Sequence, residues 1–318
     1  MAPHENILVI KLGALGDFIQ ALGAMAGIRR HHPAARITLL TTPPFVALAE
    51  KSGYVDQVMV DRRPKWWDGA GWLSLARRLN DGRFSRVYDL QNNDRTALYF
   101  RLFRKRKRLE WVGAAPGASH QNVSPERTKG HSFDGHVQTL ALAGIRDLLF
   151  DDLSWMESDL TRFNIPRPYV LMVPGCAPQH PHKRWPAAFY AALACSLTRD
   201  NYHIAVVGSK DESPLAATIC EACPAAMDLT GQTDLWDLPA LARGAAGSVG
   251  NDTGPMHIIG ATGCPSLVLF SKAGNPARHA PKGACVAVLQ EPDLADLSPA
   301  RVEETLYPLL RTNEKIKT

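Results

Sequence analysis

The sequence predicts an α/β protein made of two doubly wound, Rossmann-like parallel-sheet domains. Three observations predict it. Short apolar runs alternate with helical patterns through the first half, the same rhythm returns in the second, and Asn164-Ile-Pro-Arg-Pro168 reads as a stiff join between them. A chain of 318 residues also exceeds the usual size of a single hydrophobic core.

The elements follow in order. Ile7–Lys11 is apolar enough for a strand buried on both faces, and Phe18–His32 reads as a helix ended near Pro33. Ile37–Thr41, Gln57–Asp61 and Arg86–Gln91 read as further strands. Helices over 45–52, 72–80 and 95–103 fill the gaps. In the second half, Tyr169–Val173, His203–Val207, Gly247–Asn251, Ser266–Phe270 and Val286–Leu289 read as strands. Helices are expected over 187–198, from about Pro214, over 235–243 and 255–261, and over 299–310. The expected domains are 1–163 and 164–298, with a C-terminal helix in 299–318 packing back toward the first. Ligands of such sheets sit at the carboxyl ends of the strands, so two facing sheets predict a site in the cleft between them.

Composition narrows the class. Hydrophobic residues make up 45% and charged residues 21%, which excludes disorder. Residues 1–6 are polar and the apolar run after them is too short for a signal core, so a cytoplasmic protein is expected. The stretch Thr253–Ser271 lacks charge, but Pro255, Gly260, Gly263 and Pro265 break it, which predicts a buried helix and strand. Six scattered cysteines form no disulfide framework, and the lone Cys220-x-x-Cys223 lacks the second pair of a zinc site. Residues 1–160 hold 22 Lys and Arg against 17 Asp and Glu, while residues 161–318 hold 14 of each. The whole surplus of +5 therefore sits in the first half and predicts an anionic partner there.

Three motifs carry chemistry. Lys11-Leu-Gly-Ala-Leu-Gly-Asp17 follows the first strand. Gly13 and Gly16 permit a tight turn and a close backbone approach, and Asp17 stands at a helix mouth, where it is an N-cap or a functional carboxylate. No G-x-G-x-x-G is present, which argues against a dinucleotide-dependent oxidoreductase. The second motif, Val173 to Pro186, follows the first strand of the second half. Its Lys183 and Arg184 suit a diphosphate. The third is Asn251-Asp-Thr-Gly-Pro-Met-His257. Asp252 or Thr253 can cap the helix, Pro255 fits its first turn, and the amides of Thr253, Gly254 and Met256 make an anion site of backbone. His257 is either a packed core histidine or a support for that loop.

These motifs, in this order and spacing, resemble glycosyltransferase family nine, the ADP-heptose:lipopolysaccharide heptosyltransferases. The likeness runs from about Ile7 to Pro281 and is most specific in Asn251–His257 with Gly263–Phe270. It implies a GT-B-like fold, with the acceptor bound mainly by the first domain and an ADP-sugar by the second. It also implies inverting, metal-independent transfer, with no cofactor because the ADP-sugar is a substrate. On that basis Asp17 is the base, and Lys183, Arg184 and the amides at Thr253-Gly254 meet the leaving diphosphate. Asp252 takes donor-sugar hydroxyls, His257 supports the loop, and Glu212 is the ribose carboxylate or merely opens a helix. Gly175-Cys-Ala-Pro178 departs from the small hydroxylated residues of many relatives.

Two basic stretches stand in the first half: Arg62, Arg63 and Lys65 beside Trp66 and Trp67, and the run from Arg101 to Arg108. No nucleic-acid motif accompanies them. They suit an anionic lipid-linked saccharide acceptor and a peripheral membrane contact at the inner face of the inner membrane. Arg62, Arg63 and Lys65, with Gly13 and Gly16, are the expected acceptor-side residues. A GT-B-like sugar-nucleotide epimerase and a non-catalytic nucleotide-sugar-binding protein are the competing readings.

Overall fold

The computed structural model describes residues 5–317, with side chains to residue 311. The chain divides into two compact units, Met1–Asp151 and Asp152–Thr318.

The first unit contains strands β1 (Asn6–Ile10), β2 (Arg36–Thr41), β3 (Gln57–Val60), β4 (Arg86–Asp89), β5 (Glu110–Gly113) and β6 (His120–Gln121). Its helices are α1 (Leu15–His31), α2 (Val46–Lys51), α3 (Gly69–Asp81), α4 (Asp94–Leu102), α5 (Glu126–Lys129) and α6 (Ser132–Ala141). The second contains β7 (Tyr169–Val173), β8 (His203–Val206), β9 (Ala226–Asp228), β10 (Gly247–Asn251), β11 (Ser266–Phe270) and β12 (Val286–Gln290). With them run α7 (Ala187–Arg199), α8 (Ser213–Ala222), α9 (Asp237–Gly244), α10 (Gly254–Ala261), α11 (Pro276–His279) and α12 (Pro299–Lys317).

The two sheets share one topology. The first runs β3-β2-β1-β4-β5-β6 and the second β12-β11-β10-β7-β8-β9, with every pairing parallel. Strand order therefore reverses between β1 and β4 and between β7 and β10. Loops leaving the carboxyl ends at those two points splay apart and leave room for a ligand. The three motifs follow β1, β7 and β10.

Burial explains the strands. Ile7, Leu8, Val9 and Ile10 are all buried, as a central parallel strand covered on both faces requires. On one face, Leu8 and Ile10 pack with Leu75 and Leu79 of α3, Tyr99 and Phe100 of α4, and Trp111. Residues 148–149 press directly on α1. A Cβ on Gly23 would lie 2.2 Å from the carbonyl oxygen of Leu149, so only glycine fits there. No described helix is long and apolar enough to cross a membrane.

Two expected boundaries move. The first unit ends at 151 because residues 153–163 are tied to the second: Arg243 Nη1 donates to the Met156 carbonyl at 2.8 Å, and Ser158 Oγ to Asp237 Oδ1 at 2.6 Å. The proline-rich stretch 164–168 thus lies inside the second unit and leads into β7. The C-terminal helix is counted within the second unit and contributes to its core. Val302, Leu306 and Leu310 of α12 are fully buried in the core formed by Trp185, Leu193, Leu197 and Leu267. Strands β5, β6 and β9 escape sequence patterning, because Glu110-Trp-Val-Gly113, His120-Gln121 and Ala226-Met-Asp228 carry no apolar run of the length seen in β1 or β7.

Candidate functional site

The first unit presents the Lys11–Asp17 loop. Thr42 Oγ1 donates to the Leu12 carbonyl at 3.0 Å, and the Leu12 amide donates to Gln91 Oε1 at 2.9 Å. Residues from beyond β2 and β4 thereby hold a loop that leaves β1. Gly13 has φ +114°, and a Cβ there would sit 2.5 Å from Phe45 Cε2. The ring of Phe45 stacks on Phe18 at 4.8 Å and closes the turn from below. Asp17 lies in the first turn of α1, half-buried, and no described residue pairs with its carboxylate. Gly16 is buried beside it.

Under this loop lies a pair that sequence reasoning missed. Asp89, at the end of β4, is fully buried and accepts from the amides of Gln91 at 3.0 Å and Asn92 at 2.8 Å. Burial pushes its pKa up to about 6, against the pull of those amides, the Thr96 hydroxyl and the Lys11 ammonium. Lys11 is itself buried and reaches the Leu90 carbonyl at 3.4 Å. A strand end carrying a buried Asp at the point of strand reversal was the available signal.

Arg62, Arg63 and Lys65 are exposed on the loop after β3. The Arg63 amide donates to buried Asp61, which also accepts from Tyr99 Oη at 2.6 Å. Desolvation raises the Tyr99 pKa well above the ordinary tyrosine value, so this hydroxyl stays a donor. Trp72 Nε1 donates to the Lys65 carbonyl, Arg95 lies over the Trp72 ring, and Lys65 lies over Trp67. This shaped platform leaves Trp66 83% and Trp67 63% exposed.

The second unit assembles most of the predicted donor residues around its own point of reversal. Buried Asn251 organises them. Its Nδ2 donates to the carbonyls of Pro174 at 2.8 Å and Gly175 at 3.2 Å, and its Oδ1 accepts from the Trp185 amide at 3.0 Å. One side chain thus pins both ends of the 174–186 loop to β10. Lys183 Nζ then lies 2.6 Å from Asp252 Oδ2, the two side chains being 22% and 10% exposed. The sequence placed Lys183 and Asp252 on separate duties; the structure pairs them. Arg184 Nη2 donates to the Cys176 carbonyl at 3.2 Å, while its Nε is buried with no partner among the described residues. An orphan guanidinium N–H invites an anion.

The N-cap of α10 is Thr253, without a side-chain capping bond, and Pro255 occupies its first turn. Asp252 is not the cap, because it is held by Lys183. The expected trio of free amides shrinks to two: the Met256 amide donates to the Thr253 carbonyl at 3.1 Å, closing the first turn. The amides of Thr253 and Gly254 keep no partner among the described residues. His257 is buried on the same turn.

Glu212 joins this group through a glycine that sequence reasoning left unassigned. Its Oε2 accepts from the Ser209 amide at 2.6 Å and Ser209 Oγ at 3.0 Å, in a capping box that opens the 3-10 turn Lys210–Glu212 leading into α8. The carboxylate is so close to the 174–186 loop that a Cβ on Gly175 would lie 1.5 Å from Oε1. Glu212 therefore both caps a helical turn and lies against the 174–186 loop.

The family model for glycosyltransferase family 9 (heptosyltransferase) matches residues 72–302. Lipopolysaccharide heptosyltransferase 2 of Salmonella typhimurium is 26% identical over 96% of this chain and 98% of its own length. Lipooligosaccharide heptosyltransferase 2 of Haemophilus influenzae is 35% identical over 109 residues, which are 33% of this chain and only 31% of that protein. The E. coli heptosyltransferase WaaC, solved with ADP-2-deoxy-2-fluoro heptose, superposes with a TM-score of 0.73 at 18% identity, over 95% of this chain and 99% of that one. That last likeness is one of fold, GT-B-like with two doubly wound sheets.

Proposed function

The chain belongs to glycosyltransferase family 9, and we propose that it moves heptose or a related sugar from an ADP-sugar to a lipopolysaccharide core or lipid A acceptor, with inversion and without a metal. The observation that supports this reading is the group of donors at the carboxyl ends of β7 and β10: Lys183 paired with Asp252, Arg184 with a buried Nε that has no partner among the described residues, and helix α10 opening at Thr253. Such donors suit a diphosphate. A relative named lipopolysaccharide heptosyltransferase 2, and a heptosyltransferase of the same fold solved with ADP-2-deoxy-2-fluoro heptose, support the choice of substrates.

In the reaction, an acceptor hydroxyl oxygen attacks the anomeric carbon as the bond from that carbon to the diphosphate oxygen breaks. The hydroxyl proton passes to Asp17, whose unpaired carboxylate is free to take it. The electron pair leaves with ADP, and its charge is met by Lys183, Arg184 and the amides at Thr253-Gly254. Asp252 aligns Lys183 and accepts from sugar hydroxyls. Glu212 accepts from the ribose, and His257 holds the loop from within. Gly13 and Gly16 let the acceptor approach the backbone beside Asp17.

Arg62, Arg63 and Lys65 draw the acidic acceptor. With Trp66 and Trp67 exposed beside them, the first unit rests peripherally on an anionic inner-membrane surface. The protein works from the cytoplasmic side.

The test is a transfer assay with ADP-heptose and heptose-less lipid A core, read by mass spectrometry. A gain of one heptose is expected, with turnover in Asp17→Ala reduced by about 10²–10⁴-fold. ADP-heptose binding without product would favour a binding protein, and conversion of ADP-heptose itself an epimerase.

A further inference from the structure

The amino-terminal end of the first sheet carries a basic cavity that the proposed transfer reaction does not use. It measures about 570 Å³ and is lined by Arg83, Arg104, Lys105 and Arg108, with Phe84 and Phe103. Residues 82–85 lead into β4 and residues 103–109 into β5, so the cavity lies at the amino ends of the strands. Asn6 Nδ2, at the start of β1, donates to the Gly82 carbonyl at 3.4 Å and confirms the placement. The Asp17 loop leaves the other end of β1. Five residues at about 3.3 Å each put roughly 15 Å between the two.

The cavity is a built feature. Asn80, in the last turn of α3, donates through Nδ2 to the Leu102 carbonyl at 3.0 Å and accepts at Oδ1 from the Arg104 amide at 2.9 Å. The Arg83 amide returns to the Asn80 carbonyl at 3.2 Å. One asparagine thus locks the ends of α3 and α4 together and sets the turns that carry the cations.

Charge decides what it holds. Two helix carboxyl ends point here, and each contributes roughly half a negative charge, which explains part of the basic character. Asp81 adds one more. Four cations still leave a surplus of about two positive charges, and none of the four side chains has an ion-pair or hydrogen-bond partner among the described residues. A phosphate group carries about that charge, and guanidinium forks match its oxygens in pairs. The volume falls within the range of small-molecule sites, so a phosphate with its attached sugar or glycerol fits, its apolar side against Phe84 and Phe103.

We propose that this cavity is a second anion site, distinct from the transfer site, that binds a phosphate-bearing group. The group comes either from a soluble phosphate compound or from a lipid headgroup.

The full chain and the variant Arg83→Gln/Arg104→Gln/Lys105→Gln/Arg108→Gln separate these sources. Sodium pyrophosphate is titrated calorimetrically at low salt, with ADP in excess in both proteins. Flotation with phosphatidylcholine vesicles, with and without phosphatidic acid, is run in parallel. The native chain is expected to bind in at least one arm, and the variant to bind about tenfold or more weakly in that arm. Loss with pyrophosphate assigns a solute; loss with phosphatidic acid vesicles alone assigns a headgroup. No binding by the native chain in either arm, or equal binding by the variant in both, overturns the proposal. Should the fourfold variant unfold, Arg104→Gln/Lys105→Gln alters only exposed side chains, and the same outcomes are then read as a smaller, roughly threefold, loss.

Discussion

Replacing Gly175 with alanine tests the proposed ribose role of Glu212 without altering Glu212 itself. Gly175 has an ordinary backbone conformation, so alanine itself brings no backbone penalty. Its methyl group, however, would lie 1.5 Å from Glu212 Oε1 and 2.0 Å from Cδ. The carboxylate must swing away and release the Ser209 amide and hydroxyl, now at 2.6 and 3.0 Å. A hydrogen bond to a charged group contributes about 1.5–3 kcal/mol. Were Glu212 to hold the ribose, ADP affinity would fall by the same energy, roughly ten- to hundredfold. Calorimetric titration of ADP into the native chain, Gly175→Ala, Glu212→Ala and the double variant measures this. Each single variant should lose affinity. The double variant should match Glu212→Ala to within about 0.5 kcal/mol, since the methyl then has nothing left to displace. Unchanged affinity in Gly175→Ala, or two fully additive losses, would refute the coupling and with it the ribose role of Glu212.

Other perturbations follow from the same geometry. Lys183→Met should lower kcat about 10²–10³-fold, as expected for losing one stabiliser of the leaving charge, and should lower Tm because Asp252 loses its cation. Adding Asp252→Asn should restore Tm but not turnover, which steady-state rates and thermal melts would show. Asp89 offers a pH signature: its folded pKa, about 6, lies above the usual 3.8, so its contribution to stability is fully present below the unfolded pKa and is lost as pH rises through 6. Denaturant melts from pH 4 to 8 should therefore show the stability of Asp89→Asn, relative to the native chain, improving toward alkaline pH by up to about 3 kcal/mol; a constant difference would contradict the assignment. Transfer to a vesicle-borne acidic acceptor should fall steeply with added salt, as the Debye length shrinks from about 10 Å at 0.1 M. Rates insensitive to salt would count against Arg62, Arg63 and Lys65 as the attracting surface.

Much of this protein is written locally. A central parallel strand must be apolar on both faces, so Ile7–Ile10, Tyr169–Val173 and Ser266–Phe270 are visible as runs. A loop that leaves such a strand for a helix needs small residues to turn, so the stretches around Gly13, Lys183 and Thr253 are visible as motifs, the last with Pro255 in the first helical turn. Local signals also mark Asp17 as a carboxylate at a helix mouth. They do not extend to short strands without an apolar run, such as β6 and β9, or to a boundary set by what Arg243 and Asp237 hold.

What only the tertiary structure decided are the pairings across long separations in sequence. Lys183 meets Asp252, Asn251 ties down both ends of the 174–186 loop, and Glu212 lies on Gly175, because β7, β8 and β10 are neighbours in one sheet. The same holds for Lys11 with Asp89 and for the four cations gathered by Asn80. Period and capping are set by neighbours along the chain and can be read from it. Which charges neutralise each other, and which stay unpaired for a ligand, depends on strand order, and that is settled only when the sheets form.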